Sequence, residues 1–125
     1  MAETACRRLI AFEVEAPGRL GARRIFADIG TLGGSEARPD GIWSDAHGVW
    51  VATLEGLRVL CLGADGRLRV STATGSGMPI ACCTDGGNRL FVTIAETGAS
   101  LMQAIADKLV QTRLVEFDIA AMLRD

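Results

Sequence analysis

Residues 41–74 read GIWSDAHGVWVATLEGLRVLCLGADGRLRVSTAT. Four β-rich runs, 41–45, 48–53, 57–63 and 67–74, follow one another at short intervals. The first two and the last two are each joined by a turn ending in glycine, Ala46-His47-Gly48 and Ala64-Asp65-Gly66. Val, Trp, Leu and Cys in runs this short, bounded by Gly and Asp, favour strands over helix. The segment therefore predicts four consecutive up-and-down strands in one sheet.

The same grammar extends in both directions. Before the segment lie LIAFEVE (9–15) and RRIFADI (23–29), with Gly18-Arg19-Leu20 between them echoed by Gly66-Arg67-Leu68. After it come IACCT (80–84), RLFVTIA (89–95) and RLVEFDI (113–119). Many short strands with Gly, Asp and Pro turns point to an antiparallel sandwich, barrel or propeller. The order of the turns selects the propeller among these, and a period near 40 residues agrees with a repeat architecture. The expected fold is all-β, a single incomplete β-propeller domain over 1–125. It would hold one complete four-stranded blade, an outer strand pair before it and an inner pair after it.

One segment departs from the pattern. Ser100-Leu101-Met102-Gln103 has the form of a capping box, and Leu101, Met102, Ile105, Leu109 and Val110 then recur at helical spacing. An amphipathic helix inserted over 100–111 is expected, its apolar stripe covering a sheet edge.

Composition excludes several classes. A chain of 125 residues suffices for one domain and not two. Thirteen Lys and Arg against 15 Asp and Glu leave a net charge of −2, so no nucleic-acid or membrane-surface partner is expected. The N-terminal MAETACRRLIAFEVEA lacks the basic-then-apolar order of a secretory signal, and a cytoplasmic location follows as the expectation. Cys6, Cys61, Cys82 and Cys83 have no metal-finger spacing and read as small apolar side chains. His47, the only histidine, sits in a turn and reads as solvated surface.

The ordered pieces LIAFEVEAPGRL (9–20), RRIFADIG (23–30), PDGI (39–42), DAHG (45–48), VWVA (49–52) and GMPIACCTDGGNRLFVTIAE (77–96) resemble the SMP-30/gluconolactonase/LRE family. The resemblance is good over about 8–96 and loose beyond. It implies a six-bladed propeller, of which this chain would supply about half. It also implies hydrolysis of sugar-acid lactones or related esters, with a divalent metal at one mouth of the channel. Calcium is the metal expected, with zinc, magnesium or manganese as alternatives. By the same resemblance Asp40 is the catalytic residue and a metal ligand.

Local chemistry is compatible with that role. Asp40 precedes the first strand of the complete blade, Pro39 fixes the backbone beside it, and carboxylate oxygen suits hard cations. Taken without the resemblance, Pro-Asp-Gly is simply a turn. The family's other two metal ligands, a Glu and an Asn, have no counterparts here. Asp85 in Thr84-Asp85-Gly86-Gly87 is a weaker candidate, expected to shape its turn, as Glu36 and Arg38 are expected to be solvated. Trp43 and Trp50 are expected to pack between blades. A truncated enzyme, silent alone, is the expectation, with self-association or pairing with a missing N-terminal half. A non-catalytic binding module and a strictosidine-synthase-like or paraoxonase-like hydrolase are the alternatives.

Overall fold

The computed structural model describes residues 1–96, 101–108 and 110–124. Three antiparallel sheets make up the chain. The first holds β1 (Ala2–Glu3), β2 (Arg8–Ala16) and β3 (Arg19–Asp28) in that order. A short helix, α1 (Ile29–Leu32), leads out of it; Asp28 caps its start by accepting from the Thr31 amide at 3.0 Å. The second sheet is β4 (Ile42–Asp45), β5 (Gly48–Ala52), β6 (Arg58–Leu62) and β7 (Leu68–Ala73), four strands in chain order as the quoted segment predicts. The third holds β8 (Met78–Thr84), β9 (Arg89–Glu96) and β10 (Gln111–Asp118), with β9 in the middle. Two further helices, α2 (Leu101–Ala106) and α3 (Ile119–Arg124), flank β10.

The middle sheet is covered on both sides, and its sequence shows why. In a strand, successive side chains point to opposite faces. Val51, Leu60 and Leu62 pack with Leu9, Ala27 and Ile29 of the first sheet and its exit helix. Trp50, Val59 and Cys61 pack the other way, with Leu90, Val92 and Ile94 of β9 and with Ile119 and Met122 of α3. Both alternating sets must therefore be apolar, and VWVA and VLCL are near-continuous apolar runs. Each large side chain removed from water contributes about 1.5–3 kcal/mol, so these six positions anchor the stack. Among the described residues no helix is long and apolar enough to cross a membrane.

The helical expectation needs correction. α2 stops at Ala106, short of the 111 expected, because Lys108 adopts a left-handed φ of 56° and closes the turn on Ile105. Positions 100 and 109 of the expected helix lie outside the described residues. Of the stripe's described side chains, Met102 is 75% exposed and Ile105 53% exposed, and Ala104 is buried on the helix instead. α3 was not foreseen. Its six residues are too few for a periodic signal, yet Asn88 holds its first turn, accepting from the Ala120 amide at 2.7 Å while the Asn88 carbonyl accepts from Ile119 at 2.8 Å.

Candidate functional site

Asp40 lies on the approach to β4. Its amide donates to the Ala52 carbonyl at 2.9 Å, the Ala52 amide donates back to Gly41 at 3.0 Å, and the Gly41 amide donates to Ile80 of β8 at 2.8 Å. The Pro39-Asp40-Gly41 segment is thereby stitched to the second and third sheets at once. Gly41 is required by this close approach. A Cβ there would lie 2.6 Å from the Ala81 Cα and 2.8 Å from the Ile80 carbonyl oxygen, and Gly41 is not among the positive-φ glycines. The glycine of the motif thus serves sheet packing, not backbone freedom.

The Asp40 carboxyl is half-buried, and among the described residues it has no hydrogen-bond or ion-pair partner. Burial alone pushes its pKa up, because water is removed and no cation replaces it. Such a group favours a proton or an added cation.

The flanking candidates are engaged elsewhere. Arg38 grips Glu55 through two guanidinium nitrogens, Nε at 3.1 Å and Nη2 in a shorter contact. Glu36 is exposed. Asp85 shapes its own turn, accepting from the amides of Gly87 at 2.8 Å and Arg89 at 3.2 Å and from Arg89 Nε at 3.1 Å. These backbone bonds, first that from Gly87, hold its pKa below the ordinary value. All four cysteines are free; burial pushes the Cys61 thiol up to about 11 and the Cys82 thiol up to about 12, so neither is a ready nucleophile.

The densest polar network centres on Asp45, which sequence reasoning treated only as a turn residue. Its carboxylate accepts from Thr84 Oγ1 at 2.7 Å, the His47 amide at 2.8 Å and Trp50 Nε1 at 3.1 Å, with His47 Nδ1 at 3.3 Å. Thr84 Oγ1 in turn accepts from Trp43 Nε1 at 3.1 Å. Burial is the largest single influence on Asp45 and pushes its pKa up, but the combined hydrogen bonds outweigh it and leave the group below its usual range. Three protein donors hold the carboxylate, and the one from Thr84 clamps the second sheet to the third. His47 is half-buried within it, its ring edge-on to Trp50 with centroids 6.3 Å apart, and not the solvated residue expected. Trp50 is fully buried, whereas Trp43 remains 43% exposed. The period-two spacing of Trp43 and Asp45 was visible in the sequence; their partner Thr84, 39 residues beyond Asp45, was not.

The divalent ion implied by the resemblance does not fit these residues alone. Among the described residues no group of three or more His, Cys, Asp or Glu side chains could hold a metal. Asp40 offers one carboxylate where calcium takes about six to eight oxygens and catalytic zinc about three protein ligands. In comparisons with known proteins, the family model described as SMP-30/Gluconolactonase/LRE-like region matches residues 1–96. No curated protein matches the chain.

Proposed function

The chain belongs to the SMP-30/gluconolactonase/LRE-like family, and from that premise we propose that its three sheets are part of a propeller-type lactone hydrolase in which Asp40 is the chain's contribution to the site. The observation that carries this reading is the state of Asp40 itself. It is a half-buried carboxyl with no cation beside it among the described residues, held between the second and third sheets just before β4. A carboxyl needed only for a turn would be expected to bond the turn, as Asp85 does.

The family is generally dependent on a divalent metal. The remaining donors must come from polypeptide outside the described residues, supplied by an N-terminal half of a six-bladed ring or by a second chain. Calcium is the expected ion, and a sugar-acid lactone or related ester the expected substrate. Four free cysteines suit work in a reducing compartment such as the cytoplasm.

Titration calorimetry tests the incompleteness of the site directly. The isolated chain should bind neither calcium nor zinc at micromolar concentration, and should not hydrolyse gluconolactone. Micromolar metal binding that survives Asp40→Asn would show that the site lies elsewhere. A second reading, a binding module without chemistry, is favoured by the missing donor cluster. It predicts that no added polypeptide restores hydrolysis.

A further inference from the structure

Arg38 stands two residues before Asp40, and the two side chains leave the same side of the chain. Ala37 and Pro39 are buried, whereas Arg38 and Asp40 are half-buried, the alternation of an extended segment with one covered face. Both amides run to the continuation of β5, Arg38 to the Thr53 carbonyl at 3.1 Å and Asp40 to the Ala52 carbonyl at 2.9 Å. Residues so spaced stand about 7 Å apart at Cα, within reach of a long side chain. Arg38 is thus the cation nearest to Asp40 in sequence, yet among the described residues no cation acts on the Asp40 carboxyl.

Glu55 takes the guanidinium instead. Arg38 Nε donates to one oxygen of Glu55 at 3.1 Å, and Nη2 donates to the other. Glu55 belongs to a single 3₁₀ turn, Leu54–Gly56, with Leu54 at φ 46° and Leu57 at φ 54° on either side of it. Two left-handed leucines cost more than one partly exposed ion pair returns, so the stability of the pair does not account for the turn. Its position is fixed all the same. The buried Thr53 hydroxyl donates to the Arg58 carbonyl at 2.7 Å and accepts from the Arg58 amide at 3.2 Å. Gly56 lies against the segment that carries Arg38: a Cβ there would stand 2.8 Å from the Ala37 Cβ. A strained turn is therefore pressed onto the approach to Asp40, and the group it delivers is a carboxylate for Arg38.

We infer that Glu55 is a positioning residue that holds Arg38 away from Asp40 and so leaves the Asp40 carboxylate open to an added cation. With Glu55 replaced by a neutral residue, the guanidinium turns to Asp40 and closes it in an internal ion pair. What an open carboxylate is for rests on the lactonase reading; the withholding of Arg38 is a property of the chain itself. Glu36, exposed, is the other carboxylate that acts on Arg38 and the competitor for a released guanidinium.

Thermal unfolding of the chain at pH 7, with and without Asp40→Asn, tests this in four backgrounds. In the parent and in Arg38→Met, Asp40→Asn should raise Tm, because it removes a half-buried charge that has no partner. In Glu55→Gln it should instead lower Tm by about 2 °C, because it removes one half of a formed ion pair. Glu55→Ala, which also frees the guanidinium, should give the same sign. Adding Arg38→Met to Glu55→Gln should restore the rise, an outcome that a merely structural role for Glu55 would not produce. The sign of the shift carries the result, so a less stable variant still reports while its circular dichroism spectrum is that of the parent. A rise or no change on Asp40→Asn in both Glu55→Gln and Glu55→Ala would overturn the proposal, the guanidinium having gone to Glu36 or to water. So would a fall in the parent, or a fall in Glu55→Gln that survives Arg38→Met. Hydrolysis plays no part in these readings, so their failure leaves the lactonase reading standing. Calcium-dependent hydrolysis indifferent to Asp40→Asn would overturn that reading and leave the coupling of Glu55, Arg38 and Asp40 untouched.

Discussion

Two aspartates five residues apart meet opposite fates. Asp40 has its pKa raised by burial, so the neutral form is favoured in the folded chain. The corresponding stabilisation is present below the unfolded pKa and is lost as pH rises through the folded one. At neutral pH the charge is a burden, and Asp40→Asn should raise the melting temperature at pH 7, the gain fading towards pH 3. A lower melting temperature at pH 7 would reveal a structural partner for the carboxylate. Asp45 has its pKa lowered, because its hydrogen bonds together exceed the effect of burial. Its stabilisation is present above the unfolded pKa and is lost as pH falls through the folded one. Thr84→Val removes the 2.7 Å bond to Asp45 and the acceptor for Trp43. It should cost about 1–3 kcal/mol at neutral pH and move the acid-unfolding midpoint upward, both readable from urea melts across pH. An unchanged melt would mean that the clamp contributes nothing.

At the scale of elements, what was legible depended on how local the cause was. β5 and β6 could be read from VWVA and LRVLCL because burial on both faces leaves a continuous apolar run. The turns could be read from glycine, and Gly48 shows why. Its φ of 139° and the Leu62 carbonyl, 2.1 Å from where a Cβ would sit, admit no side chain. The helix over 100–111 was over-read, since spacing alone cannot show that Lys108 ends it or that Met102 faces water. α3 was missed because six residues carry no helical period; Asp118 caps it locally, accepting from the Ala121 amide at 2.8 Å, and Asn88, 32 residues before Ala120, holds its first turn from afar. Trp43 and Trp50, directly opposite across β4 and β5, looked alike in sequence. Trp50 is fully enclosed, so Trp50→Ala should cost about 3–5 kcal/mol. Trp43→Ala should cost less than half of that, because 43% of the residue stays in water. Equal losses in chemical denaturation would contradict this packing.

At the scale of the molecule, one sheet is sandwiched and two sheets each bury a single face against it. That asymmetry follows from the sequence: β5 and, after Arg58, β6 are continuous apolar runs, while β2, β3 and β10 are interrupted by Glu and Arg. Family membership and strand order could be inferred from ordered motifs. A site could not be completed from the sequence, because the described residues hold no group of three or more His, Cys, Asp or Glu side chains that could bind a metal. The central claim is that Asp40 lends its carboxylate to a lactonase site finished by other polypeptide. The most direct measurement takes a complete gluconolactonase of the family, removes the segment equivalent to this chain, and supplies the chain in its place. Calcium-dependent gluconolactone hydrolysis should return with the wild-type chain and fall at least about a hundredfold with Asp40→Asn. Restored hydrolysis that ignores Asp40→Asn would contradict the account, as would a folded hybrid that stays silent.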